Sequence, residues 1–282
     1  MAEVQHLSNL AHCHIVQVIG TYTMGHNLSI LIYPVAEYNL ETFLQNLSNY
    51  SYERTKPRVN ALIASFRCLA NALEYVHAKI TKHMDIKPRN ILVRDVRKGS
   101  IRYDMSHKVY IADFGISRSY ASIADAETEG PTMFTRKYAA PEVVDKGRRG
   151  LAADIFSLGC VFAEIIAQLQ WHAGPIEVTQ LDNLLQLNEV GDYSYQANIP
   201  ALQKWLAGLD TISLPSNWFP INLVCLVVSR MLEEDPVKRP TAQELAELFG
   251  VPDQCCFGLS GSEPLEAIPK KRRRSKKTLM SE

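Results

Sequence analysis

Two short polar clusters, separated by one predicted β-hairpin, constrain this chain more than any other feature. His83-Met84-Asp85-Ile86-Lys87-Pro88-Arg89-Asn90 follows a long amphipathic stretch and precedes an apolar run. Asp113-Phe114-Gly115 follows the next apolar run. The stretch predicts a helix, because Val59, Leu62, Ile63, Phe66, Leu69, Ala70, Leu73 and Val76 recur every three or four residues. Ile91-Leu92-Val93 and Val109-Tyr110-Ile111, joined by a polar loop with Lys98-Gly99, predict the hairpin. The clusters offer carboxylates, an amide and an ammonium at strand–loop boundaries. Such a set can hold a divalent cation through oxygen and leave a carboxylate to accept a proton. Mg²⁺ favours a few carboxylates together with substrate phosphates, so metal plus phosphate is a natural use for it.

The flanking sequence sets the architecture. Val4, Leu7 and Leu10 have helical spacing, and Ile15–Gly20 and Leu28–Tyr33 read as strands around the turn residues Gly25-His26-Asn27. After Asp154 the pattern is helical. Leu223 to Leu232 is a further apolar helix, and Thr241 with Glu244 forms a capping box ahead of Leu245, Leu248 and Phe249. The expected fold class is α+β, with a small strand-containing N-terminal part and a large, mainly helical C-terminal part.

Charge separates the body from the tail. Residues 269–282 carry seven basic residues and one acid, a balance of +6. The rest of the chain balances at −6, so the formal net charge of zero is a cancellation. The acidic body gives no reason to expect a general nucleic-acid surface. None of the six cysteines forms a C-x-x-C pair, which speaks against a zinc or thioredoxin-like motif and fits a reduced, intracellular setting. His12-Cys13-His14 has no further ligand cluster beside it and is not read as a metal site. The apolar run Ile155–Ala167 is short and carries Glu164, so it predicts a buried helix and no membrane partner.

The ordered motifs resemble the eukaryotic protein kinase family. The pattern H-R-D-x-K-P-x-N is met at residues 83–90 at every position but one, D-F-G is intact at 113–115, and A-P-E is intact at Ala140-Pro141-Glu142. Asp154-Ile155-Phe156-Ser157-Leu158-Gly159 resembles the D-x-W-S-x-G start of the buried central helix, and Arg239 resembles the late partner of the A-P-E Glu. The resemblance covers about residues 1–250. It implies a bilobal fold with an incomplete small N-lobe and a helical C-lobe, and transfer of the ATP γ-phosphoryl to a protein hydroxyl. Asp85 is then the group that orients the acceptor hydroxyl, Lys87 a cation toward the phosphoryl and a mark of the Ser/Thr type, and Thr135 the contact of Asp85. Asn90 and Asp113 are the implied Mg²⁺ ligands. Glu3, Ile32, Tyr33, Val35, Leu92 and Lys87 form the implied nucleotide-binding set. Leu7, Val18, His83 and Phe114 are the implied stack of spine residues. Asp154 is read as a structural tether, and Glu142 with Arg239 as a buried ion pair.

Three departures shape the expectations. No Gly-rich loop or A-x-K strand occurs in the sequence, so the chain reads as a kinase domain entered at the helix that carries Glu3, with weak or no activity as written. The alternatives are a pseudokinase acting as a scaffold or interaction module and a small-molecule phosphotransferase, the latter disfavoured by A-P-E and Arg239. Met84 replaces the Arg that meets an activation-segment phosphate, so phosphorylation at Ser117, Ser119, Tyr120, Thr128 or Thr132 is not expected to act through position 84. The loop from Arg94 to His107 is longer than a tight hairpin needs. The expected division is a kinase domain over 1–250, with an N-lobe remnant over 1–35 and a C-lobe over 36–250, then a disordered tail over 251–282. The expected partners are ATP, Mg²⁺ and a protein substrate, with nucleic acid met at most nonspecifically through the tail. The cluster 270–277 resembles a nuclear-import signal, so the expected location is cytoplasmic or nuclear.

Overall fold

The computed structural model describes residues 10–25, 27–47, 52–96, 106–115, 117–128, 134–173, 181–186, 191–209 and 221–250. Glu3, Leu7, Thr132 and the basic tail, each singled out in the sequence, lie outside the described residues.

Among the described residues, the first regular element is the predicted hairpin, β1 (Gln17–Met24) paired antiparallel with β2 (Asn27–Tyr33). Gly25 turns it at φ +61, the left-handed region that glycine enters without cost. Both strands outrun the apolar stretches that predicted them. Thr21, Tyr22 and Thr23 favour extended backbone, and here they hold strand geometry with both faces in water. The hairpin joins the body through Ile15 and Val16, which are buried and pair with Ile111.

A three-stranded sheet of order β3 (Tyr38–Asn39), β5 (Ile91–Asp95), β6 (His107–Ile111) packs on α2 (Tyr52–Ala78). Along β5, Ile91 and Val93 are buried while Leu92 and Arg94 are half-buried, as alternation requires. Helix α1 (Leu40–Gln45) precedes α2, capped by the Asn39 side chain, which accepts from Thr42 N at 2.9 Å. The two-stranded ladder pairs β4 (Thr81–Lys82), just before the first polar cluster, with β7 (Arg118–Ser119), just after the second. Two one-turn helices follow, α3 (Ile123–Ala126) and α4 (Pro141–Val144).

The remaining helices are α5 (Ala152–Ala173), α6 (Leu181–Gln186), α7 (Ile199–Ala207), α8 (Ile221–Met231) and α9 (Ala242–Phe249). Helix α5 is long and apolar enough to cross a membrane, yet Phe156, Leu158, Val161, Phe162 and Ile165 are all fully buried in the core. Phe162 meets Phe66 of α2 edge-on at 4.8 Å and Phe249 of α9 at 5.8 Å, which ties three helices together. Gly159 permits the contact of α5 with α8. A Cβ there would stand 2.9 Å from Met231 Cβ and 3.2 Å from Leu232 Cδ2. The expected capping box starts α9: Thr241 Oγ1 accepts from Glu244 N, and Glu244 Oε2 accepts from Thr241 N at 2.7 Å.

Candidate active site

The loop after β4 is shaped by a carboxylate beneath it. Asp154, at the start of α5, accepts from His83 N and Met84 N, each at 2.8 Å, and from His77 Nε2 at 3.2 Å. Burial by itself would raise its pKa, but the His77 and His83 contacts outweigh burial and hold it below the ordinary carboxylate value. These bonds fix Met84 at φ +71, a conformation that ordinary side chains resist. The loop then aims Asp85 outward. His83 goes inward, fully buried with its pKa lowered by desolvation, and its ring lies 4.5 Å from that of Phe114. Val18 packs on the same core, so three of the four implied spine residues lie in the described core and its flank.

A single 3₁₀ turn, Pro88–Asn90, folds the next side chains back onto Asp85. Lys87 Nζ donates to Asp85 Oδ2 at 2.6 Å, and Asn90 Nδ2 donates to the same oxygen at 2.9 Å. Thr135, fifty residues away in sequence, donates from Oγ1 to Asp85 Oδ1 at 2.8 Å and accepts from Lys87 Nζ at 2.9 Å. Four of the residues implied by the resemblance therefore meet in one hydrogen-bonded group. Oδ1 of Asp85 carries one bond and retains an acceptor site. The side chains of Lys87 and Asp85 are 19% and 15% exposed, so water or a substrate can reach them.

Asp113 is placed beside this group by the sheet. Ala112 N donates to Asn90 O at 2.8 Å, which sets the end of β6 against the 3₁₀ turn. Asp113 is exposed at φ +64, and its Oδ1 accepts a long 3.4 Å bond from Gly115 N. Among the described residues, no group of three His, Cys, Asp or Glu could cage a metal. Asn90 and Asp113 supply hard oxygens, which suit a cation completed by phosphate and water oxygens.

The residues that the resemblance implies for nucleotide binding are less enclosed. Ile32 is 40% exposed and Val35 is 79% exposed. The Tyr33 hydroxyl accepts from Arg94 Nη1 at 3.4 Å. Arg94 and Leu92 share one face of β5, so Leu92 lies on the strand face that turns toward Tyr33. Leu92 is joined to the Asp85 group through the backbone of β5, which follows Asn90 directly.

The segment leading to Ala140-Pro141-Glu142 is buttressed from below. Arg239 grips Glu142 with two bonds, Nη1 to Oε1 at 2.7 Å and Nη2 to Oε2 at 2.8 Å. It also donates to the carbonyls of Glu233, Ala152 and Glu234. Glu164, the lone acid in the apolar run of α5, accepts from Lys137, Tyr138 and Tyr195 at 2.9–3.0 Å. Burial, with Glu164 alongside, pushes both tyrosine hydroxyls well above their ordinary pKa. The sequence reading missed this network. Its one signal was a carboxylate inside an otherwise apolar helix.

A family model described as "Protein kinase domain" matches residues 1–248. The chain belongs to the protein kinase family. Among its relatives are cyclin-dependent kinase E-1 of Arabidopsis thaliana, 26% identical over 87% of this chain and 55% of the relative, and mitogen-activated protein kinase kinase kinase 1 of the same plant, 30% identical over 86% of this chain and 33% of the relative. Serine/threonine-protein kinase crk1 of Schizosaccharomyces pombe is 24% identical over 88% of this chain and 70% of the relative. The chain thus spans about half, or less, of the first of these relatives. Protein kinases use ATP and a divalent cation and act on protein hydroxyls. The bilobal α+β reading stands on this membership.

Proposed function

We propose that the Asp85 group is built for Ser/Thr protein phosphorylation, at a low rate in this chain because its sequence contains no Gly-rich loop or A-x-K strand. The observation that carries the reading is the set of bonds joining Asp85, Lys87, Asn90 and Thr135. Asp85 Oδ1 accepts the hydrogen of the substrate hydroxyl and turns its oxygen toward the phosphoryl group. Lys87 neutralises charge on the transferring group while its bonds to Asp85 and Thr135 keep both in place. Asn90 and Asp113 would hold Mg²⁺, since their oxygens are the hard donors that this ion prefers. Bound there, Mg²⁺ supplies charge neutralisation at the phosphates. Ile32, Tyr33, Val35 and Leu92 flank the adenine.

The test is phosphotransfer from Mg²⁺–ATP to a general protein acceptor, with nucleotide binding followed by calorimetry. Asp85→Asn is expected to lower the rate by about 10²–10⁴-fold while the protein stays folded. Asp113→Asn is expected to weaken Mg²⁺-dependent nucleotide binding. An Asp85→Asn rate equal to that of the parent would overturn the assignment. A folded parent chain with no transfer at saturating nucleotide would support the scaffold reading instead.

We also propose that residues 270–277 act as a location signal separate from the chemistry. Seven basic residues within 269–282 against an acidic body support this. The proposed location is intracellular, cytoplasmic or nuclear, with any nucleic-acid contact nonspecific and confined to the tail. Deleting 269–282 should leave the transfer rate unchanged and lower the nuclear share of the protein, read by fluorescence of a tagged chain. An unchanged distribution would end this proposal.

A further inference from the structure

Lys82 stands directly before His83, at the end of β4, and is 1% exposed. Lysine is almost never fully buried unless its charge is served. Here the ammonium spends all three hydrogens, on Ala126 O at 2.7 Å, Thr128 Oγ1 at 2.9 Å and Arg149 O at 3.0 Å. The Tyr120 ring lies 4.7 Å from Nζ. One cation therefore touches three places in the segment between D-F-G and A-P-E, and the Arg149 loop as well.

Other bonds bring that segment to the same spot. Ser117 Oγ donates to His83 O, and Tyr120 N donates to Ile80 O. Thr128 and Arg149 exchange two backbone bonds of 3.0 and 2.9 Å. Gly150 leaves room for the Glu127 carboxylate, which a Cβ would strike. Met84, two residues on, is apolar and cannot attract a phosphate.

We propose that Lys82 is a positioning residue whose buried amine fixes residues 126–128 of the activation segment against Arg149 with no phosphate required. Without it, the carbonyls of Ala126 and Arg149 lose a donor in a buried place, and the segment opens more often. The proposal rests on the kinase reading only in naming this stretch an activation segment. Amide exchange reads the stretch whether or not the chain transfers phosphate, so the two ideas fail separately.

A proton signature follows from the surroundings. Burial lowers the Lys82 pKa from 10.5 to about 8. Asp154 of α5 and Glu127 of the segment oppose that fall, while Arg149 and Arg118 add to it. Opening the segment returns Lys82 to water and to its ordinary pKa. The closed form then binds the proton less tightly than the open form, so raising the pH above about 8 favours closure. The neutral amine still donates two hydrogens, to Ala126 O and Arg149 O, and can accept one from the Thr128 hydroxyl.

The experiment is hydrogen–deuterium exchange across peptides covering 117–128 in the full chain, corrected for intrinsic rates. Phosphatase-treated protein is expected to show protected Tyr120, Ala126 and Thr128 amides. Protection should rise about tenfold between about pH 7 and pH 9 in the parent. Lys82→Met should exchange at least several-fold faster and show no such rise, with helical circular dichroism preserved. If that variant does not fold, Thr128→Val, which removes one acceptor of the Lys82 amine, decides in its place and is expected to speed exchange at Ala126 and Thr128. Unchanged exchange in the folded variant, or protection that vanishes after phosphatase, would each overturn the proposal.

Discussion

The loop around Asp85 and the β1–β2 hairpin are built on opposite terms. Around Asp85, each side chain is held by another element: Asp154 from α5 fixes the backbone, Thr135 comes from the far end of the activation segment, and β6 sets Asp113 alongside. The hairpin has no buried residue along either strand. Ile19, Leu28 and Leu31 are exposed, and Met24 is 70% exposed. A two-stranded ribbon is marginal in water on its own. The difference teaches that the proposed transfer residues draw their geometry from a continuous core, while Ile32 and Tyr33, two of the residues proposed to flank adenine, ride on a ribbon that shares little of that core. Tightly held residues proposed for transfer and loosely held residues proposed to flank adenine can therefore coexist in one chain.

That contrast is most severely tested at Arg239. Its side chain is 0% exposed and that of Glu142 is 11% exposed, so truncation strands a carboxylate and three carbonyls. Arg239→Ala is expected to cost about 3–5 kcal/mol in urea unfolding followed by circular dichroism. A domain has only about 5–15 kcal/mol in all, so much of the helical body would be unfolded at modest denaturant. A cost below about 1 kcal/mol would show that the activation segment is not built into the core as described. Leu69→Ala, in the buried face of α2, is expected to cost about 2–5 kcal/mol by the same measurement.

The two regions also differ in how far the sequence announced them. The Asp85 group was legible because its members sit in short motifs with fixed spacing. Asp154, Glu142 and Arg239 were legible as partners of those motifs. Lys82 was not, since a charged residue in a two-residue strand looks like loop until the segment folds over it. Glu164 was noticed as an oddity, but its partners Tyr138 and Tyr195 lie 26 and 31 residues away, beyond any local pattern. Helix α2 begins at Tyr52, seven residues before its apolar stripe, because the inward positions of its first turns, Thr55 and Arg58, are buried but polar. The strands β1 and β2 outran their apolar runs for a different reason: apolar periodicity reports burial, and wet residues leave no trace in it.

The smallest expected effect lies in the hairpin. Leu28 is 44% exposed, faces Thr23 across the ladder, and stands at the end farthest from Ile15 and Val16. Leu28→Ala removes apolar surface that already meets water, so little transfer free energy is lost and no closed cavity forms. The change in global stability should stay within about 0.5 kcal/mol, as for other surface sites. Amide exchange along 17–24 and 27–33 should be fast in the parent and barely faster in the variant, because local opening of the ribbon exposes almost nothing new. A cost near that of Leu69→Ala would mean that the hairpin shares the core's cooperativity. The contrast between a fixed catalytic body and a loosely held nucleotide side would then fail at its base.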